Sequence, residues 1–236
     1  MSITKFGKLC PVFIFLWATS ITAVPLKPTV QGGQPVNSSL FPEVVALTSG
    51  TNTCTGTIVG PRALLMAAHC IDSKNPLVTF EMEGRIYRAF GVISPYCDSI
   101  GHDIAVAVIF QDTVPVRAAS IGGSATVGES ISFLGYGSSE ASPVHDQVLS
   151  IGESTVSRVT AIEIISSTSG ASLAQGDSGS PAFVTSQRKL TILGVGTQPI
   201  TGTNHFIRTD TDESKALFDQ VIRDYGVDIC GVSTEC

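Results

Sequence analysis

The chain has 236 residues, of which 43% are hydrophobic and 14% charged, and its formal net charge is −6. This length suits one large or two small domains, and the apolar content is sufficient for a substantial core. The negative net charge argues against nucleic acid or an anionic membrane surface as a partner.

Residues 1–23 have the pattern of a secretory signal peptide. Lys5 and Lys8 precede an apolar run at 9–18, and small residues follow as far as Ala23. The run is about half of the ~20 residues that a membrane span requires, and no later stretch is long enough to span a bilayer. We therefore expect a secreted protein, extracellular or periplasmic, without a membrane span.

Short β-prone runs separated by turn residues begin at position 44. They lie at 44–48, 55–59, 64–67, 77–80, 87–92, 104–109, 130–134, 148–151, 160–165, 181–184, 190–195 and 205–209. Their density, without helical periodicity between them, predicts a β-barrel or a β-sandwich. The spacing of the apolar residues changes after these runs. The positions of Leu217, Phe218 and Val221 are those of one helical face, which predicts a helix that stops at Gly226.

Three polar motifs are embedded in this apolar pattern. Ser178 lies in QGDSGSP, where flanking glycines favour a tight loop, and upstream are His69 in AAHC and Asp103 in HDIAV. The order His, Asp, Ser differs from that of α/β-hydrolases and of subtilisins, and Ser180 does not fit the G-x-S-x-G elbow. By these three motifs the sequence resembles the chymotrypsin/trypsin family of serine proteases, and the resemblance extends from about 30 to 225.

The resemblance implies an all-β fold, with two six-stranded antiparallel β-barrels packed together and a C-terminal helix. The barrels would occupy about 30–122 and 123–213 of a peptidase domain at 30–236, and the helix about 214–225. The implied activity is that of a serine endopeptidase that forms an acyl-enzyme, with no metal and no cofactor. Protein or peptide substrates and protein protease inhibitors are the expected partners of a monomer.

The family's catalytic roles can be carried over to the matching positions. Ser178 would be the nucleophile, His69 the general base and then acid, and Asp103 the residue that orients His69. The backbone N–H groups of Gly176 and Ser178 would form the oxyanion hole. His102, next to Asp103, is expected to point the other way and to be solvated.

The start of the mature chain also resembles the family. Residues 24–29 would be a short propeptide, and cleavage would free the α-amino group of Val30 to pair with Asp177 and order the oxyanion loop. Thr29 stands where the family usually has Arg or Lys, so we expect an activating protease that is not trypsin-like.

The primary specificity pocket departs from the family pattern. Ser172 replaces the aspartate that trypsin-like members carry at the pocket base, so selection of Arg or Lys is not expected. Thr197, Gln198 and Pro199 replace the usual serine, tryptophan and glycine of the substrate-pairing strand, and Asn204 replaces a glycine. The sequence favours an uncharged, small or medium apolar side chain before the cleaved bond.

Five cysteines follow the signal peptide. The resemblance implies a disulfide between Cys54 and Cys70 around the histidine loop. Cys230 could pair with Cys236 or with Cys97, and the sequence leaves this choice open.

Two other functions share this fold and these residues. One is a catalytically inactive binding protein, favoured by the unusual pocket residues, because a fold does not fix a function. The other is an esterase that uses the same triad, which peptide and ester substrates would separate from a protease.

Overall fold

A computed structural model describes residues 29–97, 101–111, 114–137, 148–186, 189–197, 200 and 202–236. The predicted signal peptide, propeptide residues 24–28, Gln198 and Pro199 lie outside these residues.

The first barrel is a closed ring of six antiparallel strands in the order β2-β3-β4-β7-β6-β5. The strands are β2 (Val44–Ser49), β3 (Asn52–Gly60), β4 (Ala63–Met66), β5 (Leu77–Met82), β6 (Arg85–Ile93) and β7 (Ala105–Ile109); a two-residue strand, β1 (Gln34–Pro35), precedes them. In β5 buried and more exposed residues alternate, whereas β4 and β7 are buried throughout. Continuous burial indicates that both faces of β4 and β7 are covered.

The second barrel is also closed by six antiparallel strands. β9 (Ser130–Gly135), β10 (Ser150–Val159), β11 (Glu163–Ser167), β12 (Pro181–Ser186), β13 (Lys189–Gly196) and β14 (Thr203–Arg208) follow a two-residue strand, β8 (Ser120–Ile121). The ring runs β9-β10-β11-β14-β13-β12 and closes because β12 pairs again with β9. The predicted pair of six-stranded barrels is therefore confirmed.

An α-helix, α1 (Asp212–Tyr225), follows the second barrel. It begins at Asp212 because the Thr211 hydroxyl caps it, accepting the Ser214 N–H at 3.1 Å. It stops at Gly226, whose φ of 60° is left-handed and favours glycine. Its apolar face, with Leu217, Phe218 and Val221 fully buried, packs against β7 of the first barrel.

The strand pattern differs from the sequence prediction at one place. The predicted run at 160–165 begins in the turn between β10 and β11, and β10 instead runs unbroken from Ser150 to Val159. In β10 the buried positions include Ser150, Gly152 and Ser154, which lack the apolar character that the prediction relied on. No helix in the described residues has the length and apolar character needed to cross a membrane.

Candidate active site

The first barrel brings His69 and Asp103 together across 34 positions of sequence. His69 lies in a 3-10 turn, Ala68–Cys70, after β4, and Asp103 lies just before β7, which pairs with β4. One carboxylate oxygen of Asp103 lies 2.6 Å from His69 Nδ1, and the other accepts the His69 backbone N–H at 2.8 Å. Both oxygens therefore contact His69, which leaves Nε2 as the ring nitrogen that Asp103 does not engage.

Ser178 lies in the loop between β11 and β12, pressed against the first barrel. Its carbonyl accepts the Thr55 N–H at 2.9 Å and lies 3.8 Å from Cys70 Sγ, which is itself 3.9 Å from His69 Nε2. Gly179, at φ 88°, permits this approach, since a side chain there would overlap the Thr55 carbonyl. Within the described residues no hydrogen bond joins Ser178 Oγ to His69 Nε2, a contact that often tightens only with substrate.

The nucleophile loop leaves two buried donors unused. Neither the Gly176 N–H nor the Ser178 N–H donates to an acceptor in the described part of the chain, although both residues are buried. Gly176 adopts φ 91°, a conformation that side chains rarely allow, while the Asp177 N–H is turned away to the Ala174 carbonyl at 3.0 Å. Two free N–H groups in one tight turn could stabilise an oxyanion.

The Asp177 carboxyl is fully buried behind this loop. It accepts the N–H groups of Gly137 and Ala174, each at 2.8 Å. A side chain at Gly135 or Gly137 would overlap the carboxyl, which explains the Gly-Tyr-Gly sequence at the end of β9. Burial raises the pKa of Asp177 to about 7, against the opposing effect of the two backbone hydrogen bonds.

The raised pKa of Asp177 predicts a pH-dependent stability. Between about pH 4 and pH 7 the folded chain holds this proton more tightly than the unfolded chain, so the free energy of unfolding falls as the pH rises. We expect the free energy of unfolding of the intact chain to fall by roughly 4 kcal/mol over that window. Asp177→Asn should remove most of this fall. Urea unfolding at several pH values measures this. Glu43 and buried His102, whose pKa values are also shifted within this range, are common to both proteins and cancel in their difference. Matching slopes would contradict the prediction.

Val30, the predicted first residue of the mature chain, packs in the second barrel. The Val30 side chain is fully buried, and Gln31 and Ser172 form an antiparallel bridge. Thr29 is only 3% exposed, and its hydroxyl donates to the carbonyls of Gly135 and Val148 at 3.1 and 2.8 Å. Because the Thr29–Val30 bond is buried in this arrangement, a protease could cut it only before the segment docks.

The described residues of the predicted pocket, Ser172, Thr197 and Asn204, lie around the nucleophile loop. Thr197 directly follows β13, and its N–H donates to the His205 carbonyl at 3.0 Å. The Asn204 side chain is fully buried: its oxygen accepts the Leu173 N–H and its nitrogen donates to the Ala171 carbonyl, both at 2.9 Å. The amide therefore occupies the space between β14 and the segment that leads to Ser178.

Next to this segment is an open cleft of about 540 Å³. Its lining includes Ser172, Leu173, Ala174, Gln175, Ile200 and Gly202. No aspartate or glutamate is among the described lining residues, in keeping with an uncharged occupant.

The expectation that His102 is solvated is wrong. Its ring is fully buried, and Nε2 lies 2.8 Å from the Ser214 hydroxyl at the start of α1. That hydroxyl donates to the Arg208 carbonyl at 2.6 Å, so Nε2 carries the proton. Burial lowers the pKa of His102, because Nδ1 has no hydrogen-bond partner in the described residues and a charge would be poorly solvated.

Two disulfides are present in the described chain. Cys54 is joined to Cys70, as the resemblance implied, and Cys230 to Cys236, which leaves Cys97 outside both disulfides. The first ties β3 to the turn that carries His69.

Removing the Cys54–Cys70 disulfide should destabilise the protein and displace His69. The two residues are 16 positions apart, and a loop of this size corresponds to about 3 kcal/mol of unfolding free energy in the chain-entropy model. The matched control is the pair Cys230→Ser, Cys236→Ser, which opens a shorter loop and should cost about 2 kcal/mol. Urea unfolding and active-site labelling of both double variants test this. Equal labelling by both would show that the first disulfide does not position His69.

Comparisons with known proteins agree with this architecture. The profile of the family described as Trypsin matches residues 30–215. No curated protein sequence matches the chain.

Solved structures resemble the chain in fold at low identity. Two are inactivated protease paralogues of the scabies mite: S-D1 has a TM-score of 0.69 and 16% identity over 85% of this chain and 100% of its own. S-I1 has a TM-score of 0.66 and 20% identity over 83% and 100%. A Glu endopeptidase, solved in complex with MPD, has a TM-score of 0.66 and 18% identity over 81% and 96%.

Proposed function

Because the chain belongs to the trypsin family of serine proteases, we propose that it is an active serine endopeptidase. The observation that carries the proposal is the double contact of Asp103 with His69, at 2.6 and 2.8 Å, beside a nucleophile loop with two unused N–H donors. Binding alone does not require a carboxylate-held imidazole next to a serine loop with free N–H donors, whereas activation of a serine nucleophile does.

The reaction follows from these positions. Ser178 Oγ attacks the substrate carbonyl carbon while its proton passes to His69 Nε2. Asp103 stabilises the resulting imidazolium, and the Gly176 and Ser178 N–H groups donate to the oxyanion. His69 then protonates the amine as the C–N bond breaks. In the second half water attacks the acyl carbon and gives its proton to His69, and His69 returns this proton to Ser178 Oγ as the acyl bond breaks.

The proposed substrate has a small, uncharged side chain before the cleaved bond. Ser172 brings no charge to the cleft, and the Asn204 amide takes up space where the family has glycine. Protein or peptide substrates and protein protease inhibitors are the proposed partners of a secreted monomer.

We further propose that the protein is made as a zymogen. A carboxyl whose pKa is raised to about 7 would be stabilised in its charged form by a nearby cation, and a freed Val30 α-ammonium would supply one. The burial of Thr29 implies that the cut precedes docking of the segment.

Labelling with a fluorophosphonate probe tests the nucleophile and the zymogen switch together. Three proteins are compared: the chain that begins at Val30, the unprocessed precursor, and the Val30 chain with Ser178→Ala. We expect rapid labelling of the first alone. Equal labelling of the precursor would contradict the switch but not the enzyme.

The competing function is a catalytically inactive binding protein. It is favoured by the buried Asn204 amide in the pocket region. Folded Val30 protein that fails to react with the probe would support this alternative over the protease.

A further inference from the structure

We propose that Thr55, a residue of the first barrel, is a positioning residue that holds the oxyanion loop of the second barrel. This inference rests on the proposed function for its catalytic consequence. Thr55 lies in the middle of β3, a strand that is buried without alternation from Cys54 onward.

The direction of its side chain follows from its neighbours. A side chain at Gly56 would meet Leu47 and Leu64, which places Gly56 on the interior face of the first barrel. Successive strand residues point to opposite faces, so Thr55 points towards the second barrel. Its side chain is fully buried there.

The Thr55 hydroxyl makes two hydrogen bonds whose directions are unambiguous. It donates to the Gly176 carbonyl at 3.0 Å, since a carbonyl can only accept, and it accepts the Tyr136 N–H at 3.0 Å. A single hydroxyl therefore connects the nucleophile loop to the end of β9.

These bonds act on the part of the loop that matters for catalysis. Gly176 supplies one of the two unused N–H donors. It adopts φ 91°, and because glycine has no side chain many other conformations are open to it. Fixing its carbonyl removes that freedom, while the Thr55 N–H fixes the Ser178 carbonyl at 2.9 Å. Tyr136 lies between Gly135 and Gly137, the two glycines around the Asp177 carboxyl. Thr55 thus steadies both sides of the oxyanion site without touching substrate.

The experiment compares three variants of the chain that begins at Val30. Thr55→Val keeps the shape and removes the hydroxyl, and Thr55→Ser keeps the hydroxyl. Thr57→Val is the matched control, because Thr57 is buried on the same strand face but its hydroxyl has no partner in the described residues. The readouts are the second-order rate of fluorophosphonate labelling, kcat and KM on a peptide ester, and hydrogen exchange of peptides covering 131–137 and 174–180.

We expect Thr55→Val to label roughly 10- to 100-fold more slowly, a fraction of the 10²–10³ that follows loss of a whole oxyanion donor. The loss should fall on kcat and not on KM, and exchange should quicken in both peptides. The labelling rate of Thr55→Ser should stay within about threefold of that of the parent protein, and the rate of Thr57→Val should equal that of the parent protein. A merely structural role would lower the unfolding temperature without separating kcat from KM.

The outcomes separate this inference from the proposed function. If the parent protein reacts and Thr55→Val reacts as fast, the inference is overturned and the protease stands. If the parent protein does not react at all, the protease is contradicted, and exchange alone decides the inference. Faster exchange in Thr55→Val than in Thr57→Val then supports it, and equal exchange overturns it.

Discussion

Replacing Asp103 with Asn should lower kcat about 10⁴-fold at neutral pH with little change in KM, the loss seen for this change in a serine protease with the same triad. Asp103 accepts two hydrogen bonds from His69, one from Nδ1 and one from the backbone N–H. An asparagine has one oxygen for these two donors. If its NH₂ faces the ring, Nδ1 must become an acceptor, and Nε2 then carries the proton and cannot act as a base.

The second histidine–carboxylate pair of the protein provides the matched control. Glu163 Oε1 lies 3.2 Å from His205 Nδ1, on paired strands of the second barrel. Glu163→Gln makes the same chemical change in a pair with no place in the proposed mechanism, so kcat should be unchanged. Steady-state kinetics on a peptide ester measures both variants. If Asp103→Asn kept a tenth or more of the parent kcat, His69 would not be the general base.

The fold was predictable where side-chain type and environment agree. The closed barrels are built largely from runs such as those of β4 and β7, whose apolar residues are buried on both faces. The predicted run at 148–151 covered only the start of β10. The buried face of this strand carries Ser150, Gly152 and Ser154, which fit a strand packed closely against neighbours but give no hydrophobic signal. The small residues are needed there: a side chain at Gly152 would overlap Phe133 and Ala171.

The residues of the candidate site also differ in how far the sequence could predict them. His69, Asp103 and Ser178 could be proposed from the sequence because each lies in a short contiguous motif whose residue types suit nucleophilic catalysis. The burial of His102 was missed because its partner, Ser214, is 112 positions away on α1. Thr55 gave no signal, since a threonine in a β-prone run is ordinary, and its bonds to Gly176 and Tyr136 arise only when the two barrels pack.

Asn204→Gly should deepen the specificity pocket and destabilise the protein. The Asn204 amide makes hydrogen bonds to Leu173 N–H and the Ala171 carbonyl at 2.9 Å, and weaker ones to Ser166 and Ser167 at 3.3 and 3.2 Å. Glycine would leave these groups without their partners and open space beside Leu173, which lines the cleft. Each additional methylene that a pocket accepts changes kcat/KM by about 10–200-fold, so the ratio for Leu over Ala before the cleaved bond should rise by at least about tenfold.

The same substitution should lower the free energy of unfolding by roughly 2–4 kcal/mol, because buried polar groups lose their partners. The two effects are separable, since kcat/KM ratios between substrates are measured on the folded fraction alone. Asn204→Ser keeps a hydrogen-bonding group and should fall between the parent and Asn204→Gly in both measurements. If Asn204→Gly lost stability but kept the parent ratio of Leu to Ala, the amide would be a structural tie between β14 and the Ser178 segment. The choice of substrate would then have to come from elsewhere, and the sequence leaves Gln198 and Pro199 as candidates.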